Sequence, residues 1–363
     1  MFASIIIGWA AEVSAIHISA GLALAILALL QTLPEFGVEA FIAWHGDTNL
    51  MLANLTGSLR LFVGLGWPMV FFIHAFSCRF TRKGAWPTQV QMPKSFCIEA
   101  TFLNLPILYF MYITYKHNLN AWDGLILCSM YFLYLILLNA KRKRGVPSAE
   151  ESEEDLEFVP ATIVKWSKAA QTLSLVAMFI VGGGLLVMSI HPFVDGLQEV
   201  AAYFGLSQFV FIQWIAPFAS EFPEKVTAFN WARRASKVPM AIFNMVSSSV
   251  NQWTLLAGFV PLIYSLSQRK LSSITFDHFH THELMLTIAQ SALGSLFLAD
   301  LSFHWIEAVG LFILWLIQFF VPSTREPILY VYMTWIFAEI LALLRKGAWP
   351  KGWREFYRLF FAS

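Results

Sequence analysis

The sequence predicts an all-α polytopic membrane protein with about ten transmembrane helices, arranged as two inverted-topology halves. Of its 363 residues, 58% are apolar and only 13% are charged, which is about half the charged share of an average soluble domain. Apolar runs of about 20 residues, long enough to cross ~30 Å of hydrocarbon, recur along the chain. A polar motif containing Pro-Glu occurs once in each half. The composition excludes a soluble enzyme, and the net charge of +1 gives no reason to expect a nucleic acid partner.

The apolar runs divide the chain into helices that end at polar loops. We predict helices over 14–45, 50–76, 95–115, 121–140, 169–191, 201–232, 236–265, 283–300, 303–321 and 328–345. The segment 141–168 lacks an apolar period and passes from basic to acidic residues, so it is predicted to be a charged linker between two transmembrane halves, 1–140 and 169–345. The tail, 346–363, mixes aromatic residues with cations and is predicted to be amphipathic.

Lys and Arg residues indicate how the helices are threaded through the membrane. Eighteen of the 24 fall in one set of alternate loops and in the tail. Cytoplasmic loops close to the membrane are enriched in these residues. Both termini, the linker and the tail are therefore predicted to be cytoplasmic. No cleavable signal peptide is expected, because the first residues lack a basic start and a small-residue cleavage site.

The clearest internal signal is a repeat, over about 28–68 and about 216–258. In each copy a polar-x-Pro-Glu motif is followed about 20 residues later by Asn, and one helical turn further by Ser. These residues are Thr32, Pro34, Glu35, Asn54 and Ser58 in repeat 1, and Glu221, Pro223, Glu224, Asn244 and Ser248 in repeat 2. The threading makes the two copies antiparallel. Inverted repeats with interrupted helices place the substrate sites of many transporters near the bilayer midplane.

The chemistry of this repeat suits a cation. Proline lacks an N–H, so each Pro-Glu pair frees a helix carbonyl. A carboxylate in a membrane helix is costly unless it is paired, protonated or beside water, so Glu35, Glu221 and Glu224 require an explanation. Their oxygens, with those of the nearby amides and hydroxyls, suit a hard cation such as Ca²⁺ or Na⁺. One copy alone could be an interfacial helix end whose Ser and Asn join helices; two opposed copies favour an ion site.

At these residues the chain resembles the cation/calcium antiporter superfamily, which includes the sodium/calcium exchangers. The family's repeats read Gly-Thr-Ser-x-Pro-Glu and then Gly-Asn-x-x-Gly-Ser-Asn, and the flanks 64–68 and 251–256 are similar to a prokaryotic-type branch. The resemblance implies a sodium/calcium exchanger-like fold in a bacterial plasma (inner) membrane. It implies that Glu35 and Glu224 are paired calcium ligands.

The remaining oxygen ligands implied by the resemblance are Thr32, Ser58, Ser220 and Ser248. We add to these ligands the amide residues of both repeats and the positions that depart from the family motif. The expected ion-binding set is then Gln31, Thr32, Glu35, Asn54, Ser58, Ser220, Glu221, Glu224, Asn244, Ser248, Asn251 and Gln252.

Departures from the family pattern bear on the coupling ion. The exchangers place a second Asn or Asp one turn after the repeat Ser, where this chain has Phe62 and Gln252. Phe62 cannot ligate an ion, so a full set of sodium sites is not expected. An added carboxylate, Glu221, that takes up a proton when the cation leaves would fit proton exchange. Alternatively, Glu221 pairs with Lys225, one turn away.

Two features outside the repeats also give expectations. Three histidines alternate in an outer loop, where an extended strand would place them on one face; they are His278, His280 and His282. They form a candidate peripheral metal site, although a wet, pH-sensitive loop end is the alternative. Arg60 is expected to be a structural partner for an acid such as Glu39.

The amino terminus is short for the family, whose first helix should precede residue 14. Helix 328–345 runs in the direction of that missing helix and is expected to pack beside helix 169–191 in its place. A truncated or misassigned start is the competing interpretation.

The function these observations favour is alternating-access antiport of a cation, Ca²⁺, in exchange for H⁺ or Na⁺. A non-transporting cation sensor or channel on the same scaffold is the alternative. No enzyme activity is expected, since the sequence holds no His-x-x-x-His metal helix, Ser-His pair, paired-Asp site or nucleotide loop. No cofactor is expected either, and the partners are the lipid bilayer and the transported cations. The sequence leaves the oligomeric state open.

Overall fold

The computed structural model describes residues 5–6, 9–10, 13, 25, 29, 32–81, 84–143, 158–203, 208–347 and 349–362. Gln31, most of the segment 14–31 and half of the predicted linker 141–168, namely 144–157, lie outside the described residues.

The first half is built of helices and two short strands. They are α1 (Leu33–His45), α2 (Thr48–Leu61), α3 (Trp67–Phe76), β1 (Gln89–Gln91), α4 (Cys97–Phe102), α5 (Asn104–Tyr115), β2 (Asn118–Asn120) and α6 (Ala121–Lys143). Five-residue π-helical segments follow α2 (Phe62–Gly66) and α3 (Ser77–Thr81).

The second half repeats this organisation with additional helices. It contains α7 (Phe158–Ile163), α8 (Lys168–Tyr203), α9 (Gln208–Ser220), α10 (Phe222–Ala232), α11 (Val238–Asn251), α12 (Ala257–Ser267), β3 (Ser273–Thr275), α13 (His278–Leu298), β4 (Ser302–His304), α14 (Trp305–Phe320), α15 (Arg325–Lys346) and α16 (Lys351–Phe360). A π-helical segment, Gln252–Leu256, joins α11 to α12.

The structure confirms the all-α membrane class. Among the described residues, five helical stretches are long and apolar enough to cross a membrane: Thr48–Phe80, Lys94–Tyr115, Ala121–Ala140, Lys168–Leu185 and Pro322–Arg345. The total of about ten transmembrane helices stays a prediction.

Some helix boundaries differ from those predicted. The helix predicted over 169–191 continues to Tyr203, with Pro192 in its interior, because a proline costs a helix one hydrogen bond without always ending it. The short helix α7 lies within the segment predicted as a linker. The helix predicted over 201–232 is divided at Glu221 into α9 and α10.

Two short β-ladders join the halves. Strand β1 pairs antiparallel with β4, with Val90 opposite Phe303. Strand β2 pairs antiparallel with β3, with Leu119 opposite Ile274. Each ladder connects two loops that the Lys and Arg distribution assigns to the same side of the membrane. The ladders therefore support the predicted threading of the helices.

The π-helical segments occupy equivalent places in the two repeats. The segment Phe62–Gly66 begins four residues after Ser58, and the segment Gln252–Leu256 begins four residues after Ser248. A π-helical turn inserts an extra residue and frequently occurs at functional sites. Its occurrence at the same point of both repeats indicates that the repeat motif requires this irregularity.

Helix α15 does not take the place predicted for it. In the described part of the chain it packs mainly against α13 and also against α14, whereas α8 packs against α1, α9 and α7. The expectation that 328–345 packs beside 169–191 is therefore wrong. Helix direction restricts which neighbours a helix can have, but side-chain packing selects among them.

Gly57 allows α2 and α9 to approach closely. A Cβ atom added at Gly57 would lie 1.7 Å from the backbone oxygen of Gln213 in α9. Backbone atoms cannot rotate away from such a contact, so α9 would have to move. Because α9 leads directly to Glu221, the position of that carboxylate depends on the absence of a side chain at Gly57.

We therefore expect Gly57→Ala to lower the free energy of unfolding by about 1–3 kcal/mol or more and to reduce cation flux at least tenfold. Thermal unfolding of the purified protein and flux in liposomes measure the two effects. Gly184→Ala is the matched control, since an added Cβ there has no neighbour within 4 Å. Equal behaviour of the two variants would contradict the role of the close approach.

Candidate cation-binding site

The two repeats bring two carboxylates together across the halves of the molecule. Glu35 comes from the first turn of α1, and Glu221 comes from the break between α9 and α10. Both side chains are completely buried. The hydroxyl of Ser58, in α2, contacts one oxygen of each carboxylate. Residues predicted from the repeat thus meet at one point.

Gln252 completes this contact from the second π-helical segment. Its Nε2 lies 2.6 Å from Oε2 of Glu35 and 3.3 Å from Oε1 of Glu221, and donates to both. The extra residue of the π turn places this amide beside the carboxylates.

The contacts of Ser58 are compatible with a proton shared between the two carboxyl groups. A hydroxyl has one hydrogen and donates to one acceptor at a time. Its contact with the second carboxyl group is therefore favourable when that group is protonated and donates to the hydroxyl oxygen. The arrangement suits one carboxylate and one carboxylic acid.

Other buried oxygens in the repeats accept no hydrogen bond from another described residue. They are both carboxylate oxygens of Glu224, Oε2 of Glu39, Oγ of Ser248, Oδ1 of Asn54, Oδ1 of Asn251 and Oε1 of Gln252. The charge of Glu224 is close enough to act on both Glu35 and Glu221. Buried oxygens normally have a partner. A cation is the partner that a set of acceptors without donors would accommodate.

Thr32 and Asn251 extend the polar region on one side. The amide of Asn251 donates to Oγ1 of Thr32 over 2.6 Å, and the hydroxyl of Thr32 donates to the carbonyl of Leu29. In repeat 2 Ser220, which aligns with Gln31, makes a bond of the same i, i−3 kind: its hydroxyl donates to the carbonyl of Pro217. Both hydroxyls therefore bond the backbone just before the Pro-Glu pairs.

Asn54 points to an acid that the sequence analysis assigned elsewhere. Its Nδ2 donates to Oε1 of Glu39 over 2.9 Å, and both side chains are buried. Glu39 is therefore not the acid that pairs with Arg60, although Arg60 does have an acidic partner, Glu283. Glu39 lies one turn after Glu35 in α1, and this i, i+4 spacing is the signal that could have placed it near the ion-binding set.

Arg60 instead belongs to a second buried polar cluster. Its Nη2 lies 2.5 Å from Oε2 of Glu283, and Nη1 of Arg325 lies 2.8 Å from Oε1 of the same carboxylate. Gln213 donates to Glu283 over 2.7 Å, and the guanidinium of Arg60 lies 4.9 Å from the ring centre of Trp214. This Arg60–Glu283–Arg325 cluster joins α2, α9, α13 and α15.

Lys225 is the residue in the site whose role the sequence left open. Its Nζ forms an ion pair with Oε2 of Glu221, and only 5% of the lysine side chain is exposed. The ammonium lies 5.0 Å from the ring centre of Phe62. Glu221 therefore contacts Glu35 through Ser58 and pairs with Lys225 at the same time.

Two of the remaining predicted residues are not joined to the carboxylates by the hydrogen bonds described above. Asn244 and Ser248 are fully buried in α11. Gln31 lies outside the described residues. The π-helical segments could not be predicted from the sequence, because a one-residue insertion leaves no signal in the composition.

The predicted peripheral metal site is wrong. Asp277 is the N-cap of α13, so His278 begins a helix and the three histidines are not in a strand. Around a helix, His280 points away from His278 and His282. Within the part of the chain that the structure describes, these histidines belong to no group of three or more His, Cys, Asp or Glu side chains that could hold a metal ion.

The Asp277 carboxylate instead stabilises the start of α13. The pKa of Asp277 is held below its ordinary value, first by the backbone N–H of His280 and also by the nearby His280 side chain. A carboxylate with a lowered pKa stabilises the fold above its unfolded pKa of about 4, and the contribution is lost as the pH falls through the folded value.

We expect Asp277→Ala to lower the free energy of unfolding by about 1 kcal/mol at neutral pH. Melting temperatures measured from pH 7 to pH 3 should show the difference from the wild type shrinking below pH 4. A difference that is constant over this range would show that the carboxylate charge is not what stabilises the helix.

The comparisons with known proteins agree with this architecture. The sequence profile of the family described as "Sodium/calcium exchanger protein" matches residues 1–139 and 174–323. The crystal structure of the H⁺/Ca²⁺ exchanger CAX is 33% identical to this chain, covers 99% of it and 89% of the exchanger chain, and has a TM-score of 0.85. No curated protein matches.

More distant structures share the fold alone. The sodium-calcium exchanger NCX_Mj, in crystals soaked with Na⁺ and Sr²⁺, is 17% identical, with a TM-score of 0.58 and coverage of 88% of this chain and 94% of that one. Native YfkE is 18% identical, with a TM-score of 0.54 and coverage of 88% and 87%.

Proposed function

This chain belongs to the sodium/calcium exchanger protein family, and from that membership we propose that it is an alternating-access antiporter that exchanges Ca²⁺ for H⁺. The family consists of transporters. The family profile matches most of the chain, and the solved exchanger CAX aligns with nearly all of it. The proposal concerns which ions this chain moves and which residues bind them.

The observation that carries the proposal is the set of buried oxygens drawn from both repeats. Glu35 and Glu224 supply the carboxylates, with Asn54, Ser58, Asn244, Ser248, Asn251 and Gln252 supplying further oxygens. Hard, divalent Ca²⁺ takes six to eight oxygen ligands and favours carboxylates. A soft metal would require Cys or His, which the repeat motifs lack.

The preference for H⁺ over Na⁺ as the counter-ion rests on two observations. Phe62 replaces a second oxygen ligand of repeat 1, which removes part of the shell a sodium ion would need. The contact of Ser58 with both Glu35 and Glu221 is favourable when one of the two carboxyl groups is protonated. A divalent cation that binds Glu35 would displace a proton from that carboxyl group. CAX, the 33% identical relative, is itself an H⁺/Ca²⁺ exchanger.

Alternating access would follow from the construction of the site. Its ligands come from two halves of opposite direction, so a rearrangement of one half relative to the other opens the same oxygens to either side. With the threading predicted from Lys and Arg, both termini would face the cytoplasm of a bacterial inner membrane.

The alternative is a cation sensor or channel on the same scaffold. A channel would conduct Ca²⁺ without an opposing gradient, and a sensor would bind Ca²⁺ without moving it. The occluded, fully buried position of Glu35 and Glu224 favours a carrier over an open conduction path.

The test is calcium uptake by liposomes that contain the purified protein. We expect uptake when an outward proton gradient is imposed and little uptake without a gradient. If uptake requires an outward sodium gradient, the counter-ion is Na⁺ and not H⁺. Uptake without any opposing gradient would indicate a channel, and calcium binding without flux would indicate a sensor.

A further inference from the structure

Lys225 lies inside the candidate cation site. Its ammonium pairs with one oxygen of Glu221, and the other oxygen of Glu221 contacts the same Ser58 hydroxyl as Glu35. Placing a lysine there is unfavourable in two ways. Burial of an ion is costly, and the first turn of α10 carries the positive end of the helix dipole. Even an exposed ion pair at this spacing stabilises a helix only slightly. Helix stabilisation alone therefore does not account for Lys225.

The two repeats differ at the positions around this lysine. The offset that relates Glu35 to Glu224 places Phe36 opposite Lys225, and the offset that relates Ser58 to Ser248 places Phe62 opposite Gln252. Gln252 donates to both carboxylates. On the other side, Phe62 offers no polar group, and the ammonium of Lys225 lies over its ring. A cation fixed to the chain therefore takes the place that a polar ligand holds in the other repeat.

The charges of the site then match one divalent cation. Glu35, Glu221 and Glu224 act on one another and supply three negative charges, and Lys225 supplies one positive charge; Glu39 bonds Asn54 one turn further along α1 and lies outside this group. The site is neutral with one divalent cation or with two monovalent cations. Without Lys225, two monovalent cations would leave a buried net charge, which is costly in a low dielectric.

We infer that Lys225 acts as a tethered monovalent cation: it occupies Glu221 permanently, so that one divalent cation exchanges for two free monovalent counter-ions and not for three. This inference rests on the proposed function and adds the specificity-determining residue for its stoichiometry. Glu35 and Glu224 remain as the carboxylates whose counter-ions leave the site.

The experiment is a double-mutant cycle on Glu221 and Lys225. Gradient-driven calcium flux is measured for Lys225→Met, Glu221→Gln and the double variant, in media where choline replaces other inert cations. Each single variant changes the charge of the site by one unit and is expected to reduce flux at least tenfold. The double variant restores the original net charge and is expected to return flux to within threefold of the wild type.

Two additional arms separate a charge effect from a structural one. Methylammonium, a free analogue of the lysine head group, should speed flux by Lys225→Met at least threefold and leave the wild type unchanged. Lys116→Met is the matched control, because Lys116 forms an ion pair over 2.5 Å with the buried Asp123 outside the repeats. It should keep its flux within twofold of the wild type.

Recovery in the double variant supports the inference, even where a single variant fails to fold. Wild-type flux in Lys225→Met would overturn it. A double variant no faster than the slower single, together with no response of Lys225→Met to methylammonium, would also overturn it. Absence of gradient-driven flux in the wild-type protein is a different result, because it would overturn the proposed function itself.

Discussion

Replacing Glu224 by Gln is expected to abolish calcium exchange, and Glu35→Gln should have the same effect. Both carboxylates are fully buried, and neither oxygen of Glu224 accepts a hydrogen bond from another described residue. Unit charges about 4 Å apart interact by ~4 kcal/mol at an effective dielectric of about 20, and a divalent cation feels more. Since about 1.4 kcal/mol corresponds to a tenfold change in affinity, we expect calcium affinity to fall at least ~100-fold.

Calcium binding to the purified variants and calcium flux in liposomes check this expectation. Glu326→Gln is the control, because Glu326 is an exposed carboxylate in the first turn of α15. It should bind and transport like the wild type. Glu224→Gln that retains more than a tenth of the wild-type affinity would show that Glu224 is not a ligand.

Replacing Glu283 by Gln is expected to be the most destabilising single change outside the cation site. Glu283 is the carboxylate that faces both Arg60 and Arg325. Its neutralisation would leave two guanidinium groups buried beside an amide. Removing one partner of a buried ion pair costs about 3–5 kcal/mol, which is a large part of the 5–15 kcal/mol that stabilises a typical domain.

The complementary variant gives the control for this prediction. Arg60→Gln leaves Glu283 with one guanidinium, so its charge stays balanced and the loss of stability should be smaller. Glu283→Gln combined with Arg60→Gln should be more stable than Glu283→Gln alone. Thermal unfolding in detergent measures all three. A lower melting temperature for Arg60→Gln than for Glu283→Gln would contradict this view of the cluster.

The extent to which the sequence predicted the site depended on repetition. Glu35, Ser58 and Glu221 could be placed together because the same motif occurs twice in opposite directions. A motif that occurs twice in opposite directions restricts where its residues can lie in the structure more than a single copy does. Asn54 was assigned to the ion-binding set in the same way, but its bond to Glu39 depends on side-chain orientation, which spacing does not determine.

The errors have equally specific causes. The alternation of His278, His280 and His282 matched the period of a strand, but Asp277 directly before them is a helix N-cap residue. The cap had more influence than the alternation, because it binds the backbone N–H of His280 directly. Arg60 and Glu283 are more than two hundred positions apart, and no local pattern connects them.

The β-ladders have a consequence for the order in which the protein assembles. Val90 and Phe303 are more than two hundred positions apart, and Leu119 and Ile274 more than one hundred and fifty. During synthesis, strands β1 and β2 therefore wait unpaired until most of the second half has left the ribosome. The first half can insert its helices early, but it cannot form either β-ladder alone. The ladder between β1 and β4 therefore forms late in biogenesis. If synthesis stops before residue 302, the released chain lacks this ladder.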